Sequence, residues 1–108
     1  MEHSVKYIIA KTIDGLHRYN TEYDMYFKEL YCQHLKKNIH LIRIIRDAYI
    51  FMLKRRYTSN TNNFNDVPTK MIYNNIHKKI KIDQIVKEIN VCNNLINEIN
   101  NINDICYI

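Results

Sequence analysis

The sequence predicts an all-α protein, a small bundle of about four antiparallel helices. Its 108 residues include only one glycine and one proline, which leaves little of the turn chemistry that β-hairpins need. Hydrophobic residues recur at intervals of three and four along most of the chain, which is the spacing of one helix face. A chain of this length supports one modest core, so we expect residues 1–108 to form a single domain.

The first two predicted helices cover residues 4–19 and 21–37. Thr21, with Asp24 three residues later, resembles a capping box, and this pair predicts where the second helix begins. Apolar residues lie on one side of this helix, where we expect them to pack: Tyr23, Tyr26, Phe27, Leu30 and Tyr31.

Asn38 is the expected break before a third helix over 39–57. The third helix has the widest apolar face and is predicted to be the centre of the core. Residues 58–68 are rich in Ser, Thr and Asn and contain the proline, which predicts an internal linker. Thr69 reads as the cap of the next helix. The wide apolar face consists of Leu41, Ile42, Ile45, Ala48, Tyr49, Met52 and Leu53.

The last predicted helix covers residues 70–99, and the tail at 100–108 is expected to fray or to order on a partner. The second half of this helix carries a heptad-like seam. The seam consists of Ile82, Ile85, Ile89, Cys92, Ile96 and Ile99.

The charge balance leaves several partner classes open. Lys and Arg exceed Asp and Glu by 16 to 11, which gives a net charge of +5. This charge permits contact with nucleic acid, anionic lipid or an acidic protein. The longest continuous apolar run, at 48–53, is too short to cross a bilayer. Heavy use of Asn, Ile, Lys and Tyr is typical of an AT-rich genome.

Three cysteines, Cys32, Cys92 and Cys106, are odd in number and show no C-x-x-C spacing. We therefore expect free thiols in an intracellular, reducing compartment. No set of residues has the spacing of a metal site, so we expect neither metal nor cofactor. The sequence also lacks a nucleophile elbow, a glycine-rich phosphate loop and an H-E-x-x-H motif, which predicts a protein that is not an enzyme.

Leu30 and Tyr31 open the stretch LYCQHLKK. Cys32 follows them, and the apolar–cation pair Leu35 and Lys36 comes next. This stretch resembles the start of the LYR family, small helical adaptors of mitochondria. The hallmark of the family is Leu-Tyr-Arg followed by an apolar pair and a cation, and Cys stands here in place of Arg.

The resemblance extends over residues 26–80 with near-family spacing. Tyr49 and Ile50 resemble the family's Tyr-Ile in its second helix. Tyr57 falls close to the position of a family Phe and is followed by Asn60. The third helix of the family begins with Asp-Pro-x-Lys-Ile. The residues here that resemble this pattern are Asp66, Pro68, Lys70 and Met71.

The resemblance implies a non-catalytic adaptor that binds an acylated acyl carrier protein and takes its acyl chain between the helices. It further implies a mitochondrial location and a role in iron–sulfur cluster or respiratory-complex assembly. The residues that could line the acyl chain are Leu30, Tyr31, Ile45, Met52 and Leu53. The residues predicted to contact the acidic, phosphate-bearing partner are Leu30, Tyr31, Cys32, Leu35, Lys36, Lys37, Arg43, Arg55, Arg56 and Tyr57.

Two other functions remain open. The chain could be a small viral or parasite interaction protein that docks a partner helix, because the seam in the last helix needs a surface to pack against. A third possibility is nucleic-acid binding, because the clusters Lys54-Arg55-Arg56 and Lys78-Lys79 lie near aromatic residues. The sequence leaves the oligomeric state open.

Overall fold

The computed structural model describes residues 2–57, 67–76 and 78–102. These residues form four α-helices and no strand, which confirms the predicted all-α class. The helices, in chain order, are α1 (Glu2–Thr21), α2 (Met25–Tyr57), α3 (Val67–Asn75) and α4 (Ile82–Asn100).

Helix α2 is the axis of the fold. Its 33 residues extend about 50 Å at 1.5 Å per residue, and the longest dimension of the described structure is 51 Å. The other three helices pack mainly against α2 and contact one another far less. The buried face of α2 repeats every three or four residues: Cys32, Leu35, Ile39, Ile42, Ile45, Ala48, Tyr49 and Met52. Leu41, which the predicted face included, is 40% exposed.

The prediction of two helices that meet at Asn38 is wrong, because α2 continues through this residue. Asn in a helix interior costs only a fraction of a kcal/mol. Leu35 and Ile42, one turn to either side, are buried, and burial of such a side chain contributes roughly 1.5–3 kcal/mol. Packing therefore outweighs the weak local preference of Asn38.

The turn between α1 and α2 also differs from the prediction. The hydroxyl of Thr21 donates to the carbonyl oxygen of His17 at 2.9 Å, so Thr21 closes α1 and does not cap α2. Asp24 has the capping role, since its Oδ1 accepts a hydrogen bond from the Tyr26 N–H at 2.8 Å. As a result, α2 begins at Met25, four residues later than predicted.

Helix α4 runs antiparallel to α2. The Lys36 ammonium donates to the carbonyl oxygen of Ile99 at 3.2 Å, and Arg46 donates to Asn93 Oδ1 at 3.4 Å. The predicted seam faces α2, so the chain itself covers most of it and no second chain is needed. The buried residues of α4 are Ile85, Cys92, Leu95, Ile96 and Ile99.

The predicted single helix over 70–99 is in fact two helices. Helix α3 ends at Asn75, and the Ile76 N–H bonds the carbonyl oxygen of Tyr73 at 3.1 Å in a tightened last turn. Helix α4 begins only at Ile82. The break lets α3 and α4 each bury a face against α2.

The predicted linker and tail lie partly outside the described residues. Residues 58–66 are outside them, whereas Val67 and Pro68 already belong to α3. Proline is compatible with a first helical turn because the N–H it lacks would have no partner there. Thr69 therefore lies inside α3 and is buried, and it is not the cap that we predicted. Of the tail, residues 103–108 lie outside the described part of the chain.

Candidate functional site

The ten residues predicted to contact a partner all belong to α2, but the structure separates them into two groups. About 37 Å of helix lies between Leu30 and Arg55 at 1.5 Å per residue. Arg43 lies between the groups and is half-buried. The predicted site is therefore not one surface.

In the first group, only part of the Leu-Tyr-Cys triplet is accessible. Leu30 is 37% exposed and Tyr31 is half-buried, whereas Cys32 is fully buried. Leu35 is also buried in the core. The position at which the LYR family has its arginine is thus inside this protein, so Cys32 and Leu35 pack the core and do not present a contact surface.

The two lysines that follow the triplet have different environments. Lys36 is half-buried, and its ammonium group is bound to the carbonyl oxygen of Ile99 near the end of α4. A cation at this position also suits the partial negative charge of a helix C-terminus. Lys37 is exposed. Of the two, Lys37 is the one whose charge faces solvent.

Cys32 is disulfide-bonded, whereas the equally buried Cys92 is a free thiol. Cys106 lies outside the described residues. The expectation of free thiols is therefore wrong for Cys32. Burial raises the pKa of the Cys92 thiol to about 12, which keeps it protonated and unreactive at neutral pH.

The turn before α2 and the N-terminal end of α2 expose a group of apolar side chains, here named the aromatic stripe. Tyr26 and Phe27 are 66% and 47% exposed, and their rings meet edge to face with centroids 5.4 Å apart. The sequence predicted that Tyr26 and Phe27 lie on one side of a helix and pack there, but in the structure this side faces solvent. The aromatic stripe consists of Tyr23, Met25, Tyr26, Phe27 and Leu30.

The C-terminal end of α2 borders a cavity of about 400 Å³, here named the cationic pocket. Met52 of α2 and Tyr73 of α3, which are both buried, contribute apolar atoms to its inner wall. Three exposed cationic side chains are the other described residues of the lining. They are Arg55 and Arg56 from α2 and Lys78 from the segment between α3 and α4.

Lys78 contacts both α3 and α2 at the cationic pocket. Its ammonium group donates to the carbonyl oxygen of Tyr73 and lies 3.4 Å from the centroid of the Tyr73 ring, a cation–π position. The Arg56 guanidinium donates in turn to the backbone carbonyl oxygen of Lys78. Burial, and then the charge of Arg55, lower the pKa of Lys78. The chain thus holds three like charges around one cavity.

No described carboxylate neutralises these cations. The ion pairs among the described residues are Arg18–Asp14 and Arg46–Asp47, and neither pair contributes to the pocket. The field of the described residues around the pocket is therefore positive, and the chemistry it suits is the binding of an anion. Tyr57, the last predicted contact residue, is 71% exposed at the end of α2.

Sequence reasoning found only part of the cationic pocket. Arg55 and Arg56 were predicted as partner contacts, and Lys78 was noticed only as one of a pair of lysines. Met52 was predicted to line an acyl chain, whereas a role of Tyr73 in a pocket wall was not predicted. Lys78 reaches α2 because α3 ends at Tyr73-Asn74-Asn75, and the single helix expected there would have hidden this approach.

The residues expected to line an acyl chain do not gather in one place. They span about 34 Å of α2, from Leu30 to Leu53. Ile45 is fully buried in the core, and Leu53 packs partly buried against it. Among the five, Met52 lines the cationic pocket.

No family model, curated protein or solved structure matches the chain. The resemblance to the LYR family therefore stays a prediction. Within the described ranges, no three His, Cys, Asp or Glu side chains lie close enough together to hold a metal ion. None of the described helices has the length and apolar character needed to cross a membrane.

Proposed function

We propose that the chain is a non-catalytic helical adaptor that binds an acidic protein partner at the C-terminal end of α2. The observation that carries the proposal is the cationic pocket, where Arg55, Arg56 and Lys78 converge without a described carboxylate. An acidic surface would supply the missing counter-charges. Complementary charge of this kind mainly speeds the encounter and fixes the orientation of the partner.

The resemblance to the LYR family suggests which acidic partner this is. Acyl carrier proteins are the partners that the family binds, and Arg55, Arg56 and Tyr57 belong to the contacts that the resemblance assigns. Met52 and Tyr73 give the pocket an apolar wall, against which an acyl chain would gain about 0.8 kcal/mol per buried methylene. The role in iron–sulfur cluster or respiratory-complex assembly, and the mitochondrial location, rest on the resemblance alone.

The proposal moves the centre of the contact away from the Leu-Tyr-Cys triplet. Cys32 is buried and disulfide-bonded, so it cannot replace the family's arginine at a surface. Leu30 and Lys37 are exposed but lie far from the pocket along α2. The proposed contact therefore consists of Arg55, Arg56 and Tyr57 with Lys78 beside them.

Calorimetric titration with acyl carrier protein tests the proposal. The carrier protein is used with its acyl chain, without the acyl chain, and without any attached group. The variant Arg55→Glu/Arg56→Glu should bind at least about tenfold more weakly than the wild type, which corresponds to about 1.4 kcal/mol. The matched control is Lys6→Glu/Lys11→Glu, which changes the net charge equally at exposed positions of α1. Equal losses in the two variants would mean that only net charge matters, and absence of binding by the wild type would refute the carrier-protein partner.

The aromatic stripe supports a second candidate function, an interaction protein that docks a partner helix. Tyr26 and Phe27 of α2, with Tyr23 in the turn before it, expose aromatic surface, which suits the groove of a partner or the apolar face of a helix. The variant Tyr26→Ser/Phe27→Ser should abolish such an interaction and leave carrier-protein binding intact.

Nucleic-acid binding is the third candidate function, and its affinity would fall steeply as the salt concentration rises.

A further inference from the structure

We propose that the cationic pocket is a site for a terminal phosphate group, the dianionic phosphate of a monoester. The proposed function assigns the cationic pocket to an acidic protein partner. The inference rests on that proposed function, because both place recognition at the same residues. It adds a ligand chemistry that is narrower than an acidic surface. Arg55, Arg56 and Lys78 come from two different segments and line one cavity, so their charges act on the same ligand.

The number of cations favours a terminal phosphate. A phosphate monoester carries a charge of about −1.5 to −2 at pH 7 and presents three strong acceptor oxygens. Three cationic groups can match these oxygens, and the planar guanidinium groups of Arg55 and Arg56 can each bind two. A phosphodiester, with a single negative charge and two free oxygens, would balance less of the charge of these three groups.

Two of the three cations are already held in place. Arg56 donates to the carbonyl oxygen of Lys78, and Lys78 is bound to the carbonyl oxygen and ring of Tyr73. Restraint before binding reduces the loss of side-chain entropy when a ligand arrives. Burial and the charge of Arg55 lower the pKa of Lys78, and an anion between them would relieve this repulsion.

The cavity has room for an organic group beside the phosphate. About 400 Å³ lies within the usual range of roughly 300–1,000 Å³ for small-molecule pockets, and it is larger than a phosphate needs. The buried walls formed by Met52 and Tyr73 offer apolar surface beside the cations. The phosphate could belong to a small organic molecule or to a phosphorylated side chain of a partner.

Pyridoxal phosphate with borohydride is a direct probe of this site. The Lys78 amine adds to the aldehyde and releases water to form an imine, which borohydride reduces to a stable secondary amine. Mass mapping should find Lys78 modified at least about tenfold faster than the adjacent exposed Lys79, the internal control. Pyridoxal, which lacks the phosphate, should show little preference, and inorganic phosphate should protect Lys78. Equal labelling of Lys78 and Lys79, or equal preference with pyridoxal, would overturn the proposal.

The variant Arg55→Gln/Arg56→Gln separates the site from a merely reactive lysine. It should lower the melting temperature only slightly, because both side chains are exposed and Arg56 loses one hydrogen bond, and it should lose the preference for pyridoxal phosphate over pyridoxal. Retained preference would contradict the inference. Competition by glycerol phosphate supports a small-molecule source, and competition by a phosphoserine peptide, but not by its unphosphorylated form, supports a partner. Protection of Lys78 without carrier-protein binding would refute the proposed partner and leave the phosphate site standing.

Discussion

At its N-terminal end α2 exposes aromatic rings and a leucine, whereas at its C-terminal end it exposes three neighbouring cations and the cationic pocket. The same helix buries its middle in the core, with Ile42 and Ile45 fully covered. One continuous helix therefore carries two surfaces of opposite chemistry, about 40 Å apart. The residues around the Leu-Tyr-Cys triplet therefore belong to one candidate site, and the cluster Arg55-Arg56 belongs to another.

The two ends also differ in how the chain holds them. At the N-terminal end, Cys32 is disulfide-bonded and the Lys28 ammonium lies 4.8 Å from the ring centroid of Tyr19 on α1. At the C-terminal end, α3 packs Tyr73 edge to face against Phe51, with ring centroids 5.1 Å apart. The aromatic end thus contains a disulfide-bonded cysteine, whereas aromatic packing between α2 and α3 supports the cationic end.

The largest effect should come from the buried middle that joins the two ends. Ile45→Asp should cost several kcal/mol, about 4, because it places a carboxylate among apolar side chains. Leu41→Asp, the same change of chemistry on the exposed side of α2, should cost less than about 1 kcal/mol. Urea denaturation measures both losses. Similar losses would mean that the assigned buried face is wrong.

A proline at position 38 tests whether α2 is continuous. Asn38→Pro should lower the free energy of unfolding by about 3 kcal/mol or more, because it removes a helical hydrogen bond and clashes with the preceding turn. Asn38→Ala should be neutral or slightly stabilising, by up to about 0.5 kcal/mol. A variant with proline as stable as the wild type would show that the chain breaks at this residue after all.

The two fully buried cysteines form a matched pair for the third prediction. Cys32→Ala and Cys92→Ala remove the same side chain from the interior, but only the first also removes a disulfide. Cys32→Ala should therefore be the more destabilising by about 2 kcal/mol. The difference should disappear when both variants and the wild type are unfolded in excess reductant. A difference that persists there would come from packing and not from the bond.

The smallest effect is expected at the aromatic stripe. Tyr26→Ser should change the free energy of unfolding by no more than about 0.5 kcal/mol, because the side chain is 66% exposed. Thermal unfolding at several protein concentrations is the measurement. A larger loss that grows with concentration would show that another copy of the chain covers the stripe in solution.

The helical class and the core face of α2 could be predicted because both depend on periodic burial. The repeat through Ile42, Ile45, Tyr49 and Met52 is visible in the sequence, and the structure buries these residues. Local preferences were less reliable than periodicity. Asn38 was expected to end a helix, but the buried residues on both sides hold it inside α2.

The candidate sites were less predictable because they depend on contacts between distant segments. The cationic pocket forms because α3 ends at Asn75. The polar residues at this point do not predict that Lys78 approaches Arg56, which bonds its carbonyl oxygen. The stripe of aromatic residues was predicted to pack, but only the docking of α1 and α4 decides which side of α2 stays exposed. The disulfide of Cys32 had no spacing signal in the sequence.

The distance between the two ends of α2 tests the separation of the two surfaces most directly. Spin labels introduced through unnatural amino acids at Tyr26 and Lys54 avoid the native cysteines, and pulsed electron paramagnetic resonance measures their separation. A continuous α2 predicts a single distribution centred near 42 Å before allowance for the label arms. A helical hairpin with its turn at Asn38 would bring the labels to within about 20 Å, since packed helices lie 8–10 Å apart. That shorter distance would contradict the account.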